Sequence, residues 1–359
     1  MDPLKDHPDH AFKDQSHEVP SPSKIKKEVA KSIESKLTIA ENKIAAAASL
    51  LLFSFIGVLV RIYSEQVLTY MGEPVAAIIY PQIIGCFIIG IVIELKAKIE
   101  SSSHTLFIGI TTGLCGSITT FSGVILGSSQ QYFNVLGYER TMAQNIMAGL
   151  TVDLLGFGMG FIAFLFGKHI GEWLNEEYIK TLPLCTGNLV YANPTWFKEE
   201  HITKTDVMII ILGVLSALGV TTASLTFNMD RRLVYALIFA PVGTFMRRWM
   251  SALNRINQKF PLGTLLVNII GSAVLVLLFL IPGVTAVSNT HCYILAGLMT
   301  GFCGCFTTVS TWVVELSFLN KKYAYIYGAA SIIFAEILSI TLFLAMKTHQ
   351  PYYNNLCTI

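Results

Sequence analysis

The chain has 359 residues, of which 53% are hydrophobic and only 13% charged, with 25 Lys and Arg against 23 Asp and Glu for a formal net charge of +2. Soluble domains carry about 25% charged residues, so a mean hydropathy of +0.58 assigns most of this chain to a bilayer. The near-balanced charge, with no basic stripe, argues against a nucleic-acid binder.

Residues 1–43 stand apart. The stretch 1–19 is rich in Asp, His and Lys and has no apolar run after Met1, so it does not read as a signal peptide. Residues 21–43 carry Lys24, Lys26, Lys27, Lys31, Lys36 and Lys43 between Ile and Ala. That pattern fits an amphipathic helix at an anionic membrane surface or a polar cytoplasmic tail.

A helix needs ~20 apolar residues to cross the hydrocarbon core. Nine windows qualify: 44–63, 75–95, 106–127, 143–166, 207–227, 233–250, 263–281, 293–318 and 324–346. With the N-terminus in the cytoplasm, the inside holds the Lys-rich tail, Lys96, Lys98, Lys168, Lys180, Lys198, Lys204, Arg255, Lys259, Lys321 and Lys322. The outside holds only Arg140, Arg231, Arg232 and Lys347, so the positive-charge bias selects this orientation. Window 207–227 has no counterpart in either group of four. Four helices return a chain to its starting side, and one more inverts the second group relative to the first. The expected fold is an all-α integral membrane protein of two inverted four-helix repeats, 44–167 and 233–346. A loop and linker transmembrane helix at 168–232 join them, and short tails at 1–43 and 347–359 flank them. Of seven cysteines, Cys86, Cys115, Cys303 and Cys305 fall inside apolar runs and read as unpaired thiols rather than a disulfide framework.

The repeats answer each other in order. Gly-Val-Leu-Val-Arg at 57–61 matches Gly-Thr-Phe-Met-Arg at 243–247, and Gln-Ile-Ile-Gly at 82–85 matches Asn-Ile-Ile-Gly at 268–271, both at an offset of 186 residues. Gly-Leu-Cys-Gly-Ser-Ile-Thr-Thr-Phe-Ser at 113–122 matches Gly-Phe-Cys-Gly-Cys-Phe-Thr-Thr-Val-Ser at 301–310, offset by 188. Gly109/Gly113 and Gly297/Gly301 put small residues on one helix face, which is a packing device. Mid-helix glycines and hydroxyls are costly in lipid, where freed backbone groups find no water. A cluster carried twice therefore marks a broken helix lining an ion path. At least one Thr of each pair, Thr119-Thr120 and Thr307-Thr308, must face the interior. Asn268, with Gln82 at the matched place, lines the path or makes an interhelical hydrogen bond. Arg61 and Arg247, near the ends of their windows, snorkel to the interface or gather anions at two vestibules. Tyr327 and Ser331 are four residues apart and share a helix face. Asp153 and Glu336 are intramembrane acids, either functional or buried as hydrogen-bonded carboxyls. Gly156-Phe-Gly-Met-Gly160 follows no strand and is no phosphate loop.

No nucleophile elbow, zinc-protease or Walker motif is present, so a channel or transporter is expected rather than an enzyme. Hydroxyl and amide donors with the positive edges of aromatic rings suit a small, strongly hydrated anion.

These motifs, with Gly-Thr-Leu-Leu-Val-Asn-Ile-Ile-Gly at 263–271, resemble the Fluc (CrcB-type) fluoride channels. The four-one-four layout resembles the fused eukaryotic fluoride exporters (FEX). The resemblance implies passive fluoride export across the plasma membrane by a single chain. It implies breaks at 116–120 and 304–308, with a structural sodium ion held by carbonyls of Gly116, Thr119, Gly304 and Thr307. The fluoride path would use Asn268, Gln82, Thr120, Thr308, Ser310, Phe121, Trp312, Tyr327 and Ser331, with Arg61 and Arg247 at the vestibules. The family pattern Thr-Thr-Phe-Ser-Thr-Phe is kept unevenly. Phe121 survives, Trp312 keeps an aromatic, and Val124 and Val309 replace the other two phenylalanines. Uneven loss implies one competent path and one decayed path. The rival readings are a secondary transporter coupled through Asp153 or Glu336 and a membrane protein without transport.

Overall fold

The structure, a computed structural model, describes residues 22–181, 203–226, 230–284 and 288–347. The segment 1–21, Lys198 and most of the tail 347–359 lie outside the described residues. Among those described, every regular element is a helix. Helix α1 (Pro22–Leu68) takes up the Lys-rich stretch from Pro22 onward and runs without interruption through the first window. Then come α2 (Ile79–Glu94), α3 (Lys96–Ser102) and α4 (His104–Ile108). A π-helical turn, Gly109–Cys115, leads to α5 (Gly116–Ile118), α6 (Phe121–Tyr132) and the long α7 (Met142–Thr181). Helix α8 (Lys204–Thr226) joins this half to the second. The second half is α9 (Arg231–Met250), α10 (Leu262–Val284), α11 (Asn289–Gly297), a π-helical turn (Leu298–Cys303), α12 (Gly304–Phe306), α13 (Ser310–Phe318) and α14 (Lys321–Lys347).

Taken as rods, α4–α6 and α11–α13 each form one interrupted span. Seven rods are long and apolar enough to cross a membrane. Helix α2 is apolar but has 16 residues. Helix α9 has 20 residues and carries Arg231, Arg232, Arg247 and Arg248. Both are tied into the interior: Gln82 and Arg247 are among their buried residues.

Glycines set the close approaches within each half. A Cβ on Gly113 would meet Phe53 Cβ of α1 at 2.7 Å, and one on Gly301 would overlap the Ala236 carbonyl of α9. The paired small residues thus let α1 and α9 lie against the two π-helical turns. The thiols of Cys86, Cys115, Cys303 and Cys305 are buried and free. The expectation of unpaired thiols does not extend to Cys292, which is disulfide-bonded.

The linker helix is held by polar contacts at one end. Asp206, 5% exposed, accepts from Ser103 Oγ at 2.6 Å, from Thr105 Oγ1, and from Thr203 N and Oγ1 at 2.9 and 2.7 Å. Gly213 lies against Ala48 of α1, while Val207, Met208, Ile211 and Leu215 are exposed apolar side chains. Hydrophobic burial is weak for such a face in lipid, so the carboxylate is the main anchor. Asp206→Ala is expected to destabilise the chain by about 2 kcal/mol, read as a lower thermal midpoint in detergent.

Candidate functional site

Both interrupted rods break at the Thr pair. Thr119 (φ −82°, ψ 148°) and Thr307 (φ −92°, ψ 162°) are extended between helical segments. Extended residues alternate sides, so both threonines of each pair reach interior partners. All four are buried.

The partners are exchanged between halves. Thr119 Oγ1 accepts from Ser310 N at 3.1 Å, and Thr307 Oγ1 accepts from Ser122 N at 3.1 Å. Thr119 and Thr308 share a hydroxyl hydrogen bond at 3.2 Å, and so do Thr120 and Thr307. Thr119 and Thr307 therefore each satisfy a free N–H at the start of the other half's helix. Such reciprocity is the signature of a two-fold relation, here between two halves of one chain.

The carboxamides complete each break. Thr308 N donates to Asn268 Oδ1 at 2.9 Å, and Asn268 Nδ2 donates to Thr308 O at 3.2 Å. Thr120 N donates to Gln82 Oε1 at 3.1 Å, but Gln82 Nε2 turns to Ile78 O at 3.1 Å. Asn268 thus makes the interhelical bonds that were one of its two expected roles, with one amide hydrogen beyond them. Three residues on, Gly85 and Gly271 make room for the threonine methyls. A Cβ on Gly85 would meet Thr119 Cγ2 at 2.5 Å, and one on Gly271 would overlap Thr307 Cγ2. Gly271→Ala is expected to cost about 1–3 kcal/mol by overpacking. Gly158→Ala, with open space around it, is expected to leave the thermal midpoint unchanged or raise it.

The arginines turn inward rather than snorkelling. Arg61 and Arg247 are 2% and 4% exposed. Arg247 Nη2 donates to Thr112 O of the first half at 2.7 Å, and its Nε donates to Cys305 O at 2.8 Å. Arg61 Nη2 donates to Thr300 O of the second half. A Cβ on Gly116 would overlap the Arg247 guanidinium, and one on Gly304 that of Arg61. Each half's arginine therefore sits on the other half's break, bonded to a π-turn carbonyl. Arg61 also floors a cavity of about 330 Å³ near the C-terminal end of α1, lined by Glu65, Thr120, Gln131, Thr300 and Gly304.

The two aromatic residues kept at the family's phenylalanine positions meet across the halves. Phe121 and Trp312 meet edge to face at 5.8 Å and 76°, and Phe157 touches both rings, at 4.7 and 5.4 Å. Their repeat counterparts, Val309 and Val124, are fully buried aliphatics. Tyr327 and Ser331 are both buried. Ser331 Oγ donates to Tyr327 O at 2.7 Å, and Tyr327 Oη donates to Glu315 Oε2 at 2.7 Å. Glu315, which the sequence reading missed, also accepts from Thr264 Oγ1 at 2.6 Å and Asn254 Nδ2 at 2.9 Å. An acid inside the window 293–318 was the available signal. Asp153 and Glu336 each accept a hydrogen bond, from Tyr132 Oη at 2.9 Å and from Ser128 Oγ at 2.5 Å, and each keeps a second buried oxygen without a partner among the described residues.

The family model for CrcB-like protein, Camphor Resistance (CrcB), matches this chain twice, over residues 48–168 and 234–346. The chain belongs to the CrcB family. It is 30% identical over 309 residues to fluoride export protein 1 of Candida albicans, covering 79% of this chain and 76% of that one. To fluoride export protein 1 of Neurospora crassa it is 31% identical over 249 residues, 63% of this chain and 45% of the relative. The fluoride-specific ion channel FluC 1 of Nocardia farcinica is 35% identical over 113 residues, 32% of this chain and 73% of that one. No solved structure matches.

Proposed function

We propose that this chain is a passive fluoride channel that exports F⁻ from the cytosol through one of two repeat-related routes. The observation that carries the reading is the doubled helix break, which gathers buried hydroxyls and carboxamides of both halves at one junction in a chain of the CrcB family. The competent route runs past Asn268, Thr308, Ser310, Phe121, Trp312, Tyr327 and Ser331. The route through Gln82 and Thr120 has lost its aromatic pair to Val124 and Val309 and is the decayed one. Arg61 and Arg247 act from the centre, where their charges attract anions without standing in the path.

Each of the nine rods crosses the membrane, the N-terminus is cytoplasmic, and the two halves are inverted. The host is the plasma membrane, with lipid around a single functional chain. HF entering from acid surroundings dissociates inside, and an inside-negative potential drives F⁻ out by ~2.3 kcal/mol per 100 mV.

A structural sodium ion fits the junction of α5 and α12. Thr119 and Thr307 lie at two converging helix C-termini, where carbonyls carry partial negative charge. Among the described residues, no loop hydrogen bond ends on the carbonyls of Gly116, Thr119, Gly304 or Thr307. Neutral oxygens suit a hard monovalent cation, which would supply a fixed positive charge.

The test is a fluoride electrode on liposomes loaded with fluoride, with chloride as control. Fast, uncoupled, fluoride-selective efflux is expected. Slow saturable efflux that needs a proton or sodium gradient would favour a secondary transporter, and none at all would end the reading.

A further inference from the structure

Trp312 carries a buried donor with nothing to bond to. The side chain is 4% exposed, and its Nε1 has no hydrogen-bond partner among the described residues. An indole N–H donates only. A buried tryptophan ordinarily finds an acceptor, and an unmet N–H costs about 1–3 kcal/mol. The neighbours offer none. Phe121 stands edge to face with the indole, Phe157 lies against it, and a Cβ on Gly328 would meet Cζ2 of Trp312 at 3.6 Å.

The location gives the unmet donor a use. Ser310, two residues earlier, is bonded to Thr119 and Thr308 at the break. Gly328, against the indole, adjoins Tyr327 on α14. Trp312 therefore stands between the hydroxyl cluster and the Tyr327–Ser331 face, in an otherwise hydrocarbon-walled stretch. At the repeat-related position Val124 has no donor to offer. We infer that the Trp312 indole N–H donates a hydrogen bond directly to fluoride as it crosses the aromatic stretch, making Trp312 a specificity-determining residue of the one competent route. The inference rests on the fluoride-channel reading and adds to it a formal donor in place of a weakly positive ring edge. A ring edge carries only a partial positive charge, whereas an N–H donor forms its shortest and strongest hydrogen bond with the most charge-dense acceptor and so offsets part of the dehydration cost of fluoride.

The test uses the full chain in lipid nanodiscs, labelled with ¹⁵N in the indole. A chain with Trp173, Trp196 and Trp249 each replaced by Phe leaves Trp312 as the only source of an indole signal. Titration with sodium fluoride is expected to move that signal downfield with saturation, while sodium chloride leaves it in place. Trp312→Phe, which keeps an aromatic ring, is expected to retain transport with a half-saturating fluoride concentration raised about tenfold. An indole signal indifferent to fluoride in a chain that still transports it overturns the inference and leaves the channel reading intact. So does an equal response to both salts, which would point to trapped water as the acceptor. Absence of fluoride transport from the unaltered chain overturns the channel reading itself.

Discussion

Asn268→Ala is expected to reduce fluoride efflux to that of protein-free liposomes, while Gln82→Ala transports at close to the unaltered rate. The two positions are structural equivalents, which gives the comparison its force. Each carboxamide oxygen accepts from the first free amide after its break, Thr308 N or Thr120 N. Removing either strands a buried N–H at about 1–3 kcal/mol, so both variants are expected to lose thermal stability by similar amounts. Only the transport readout then separates them. Asn268 lies in the half that also supplies Ser310, Trp312, Tyr327 and Ser331, and Trp312 of that half stands edge to face with Phe121. On the proposed reading Gln82 belongs to the decayed route, where Val309 and Val124 stand at the positions of that aromatic pair. Equal transport by the two variants, at matched protein content, would remove the assignment of a single competent route. A folded Asn268→Ala chain that still empties liposomes would remove Asn268 from the path.

The doubled break could be read from residues because its chemistry is costly: glycine, cysteine and paired threonine inside apolar windows are conspicuous. The split of each crossing rod at Thr119 and Thr307 agrees with that reading, and so does the packing role of Gly113 and Gly301. What stayed out of sight was any contact across the two-fold relation. Nothing in linear order indicates that Thr119 caps the helix starting at Ser310, or that Gly85 exists to admit a threonine methyl. The arginines illustrate the same limit. A hydropathy window is one-dimensional, so Arg61 and Arg247 read as boundary residues, although the opposite half has a cavity of glycine and bare carbonyls for each. The π-helical turns Gly109–Cys115 and Leu298–Cys303 were equally hidden, because a widened turn leaves apolar periodicity almost unchanged. They leave the Thr112 and Thr300 carbonyls to the guanidinium groups.

That arrangement makes Arg247→Ala the most damaging single substitution for the fold. The guanidinium bonds Cys305 O of its own half and Thr112 O of the other, and fills the space over Gly116. Its loss leaves two carbonyls facing a void with no water to satisfy them. Hydrogen bonds to a charged donor contribute about 1.5–3 kcal/mol each, and breaking one side of a buried polar set costs about 3–5 kcal/mol. Against this stands the desolvation cost of the guanidinium, which its removal relieves. The balance favours keeping the arginine, because the carbonyls at the break already provide negative potential where the cation sits. Arg247→Lys tests the geometry rather than the charge. An ammonium is a point donor on a flexible stem and cannot replace a planar fork that reaches two carbonyls at fixed angles. Both variants are therefore expected to lose most of the monodisperse fraction in size-exclusion chromatography, with alanine the worse. Arg61→Ala, whose guanidinium makes one such bond to Thr300 O and floors an open cavity, is expected to be milder. A monodisperse Arg247→Ala chain with its thermal midpoint within a few degrees of the unaltered one would mean that the other contacts between the halves, the threonine exchange among them, hold the two together without this arginine.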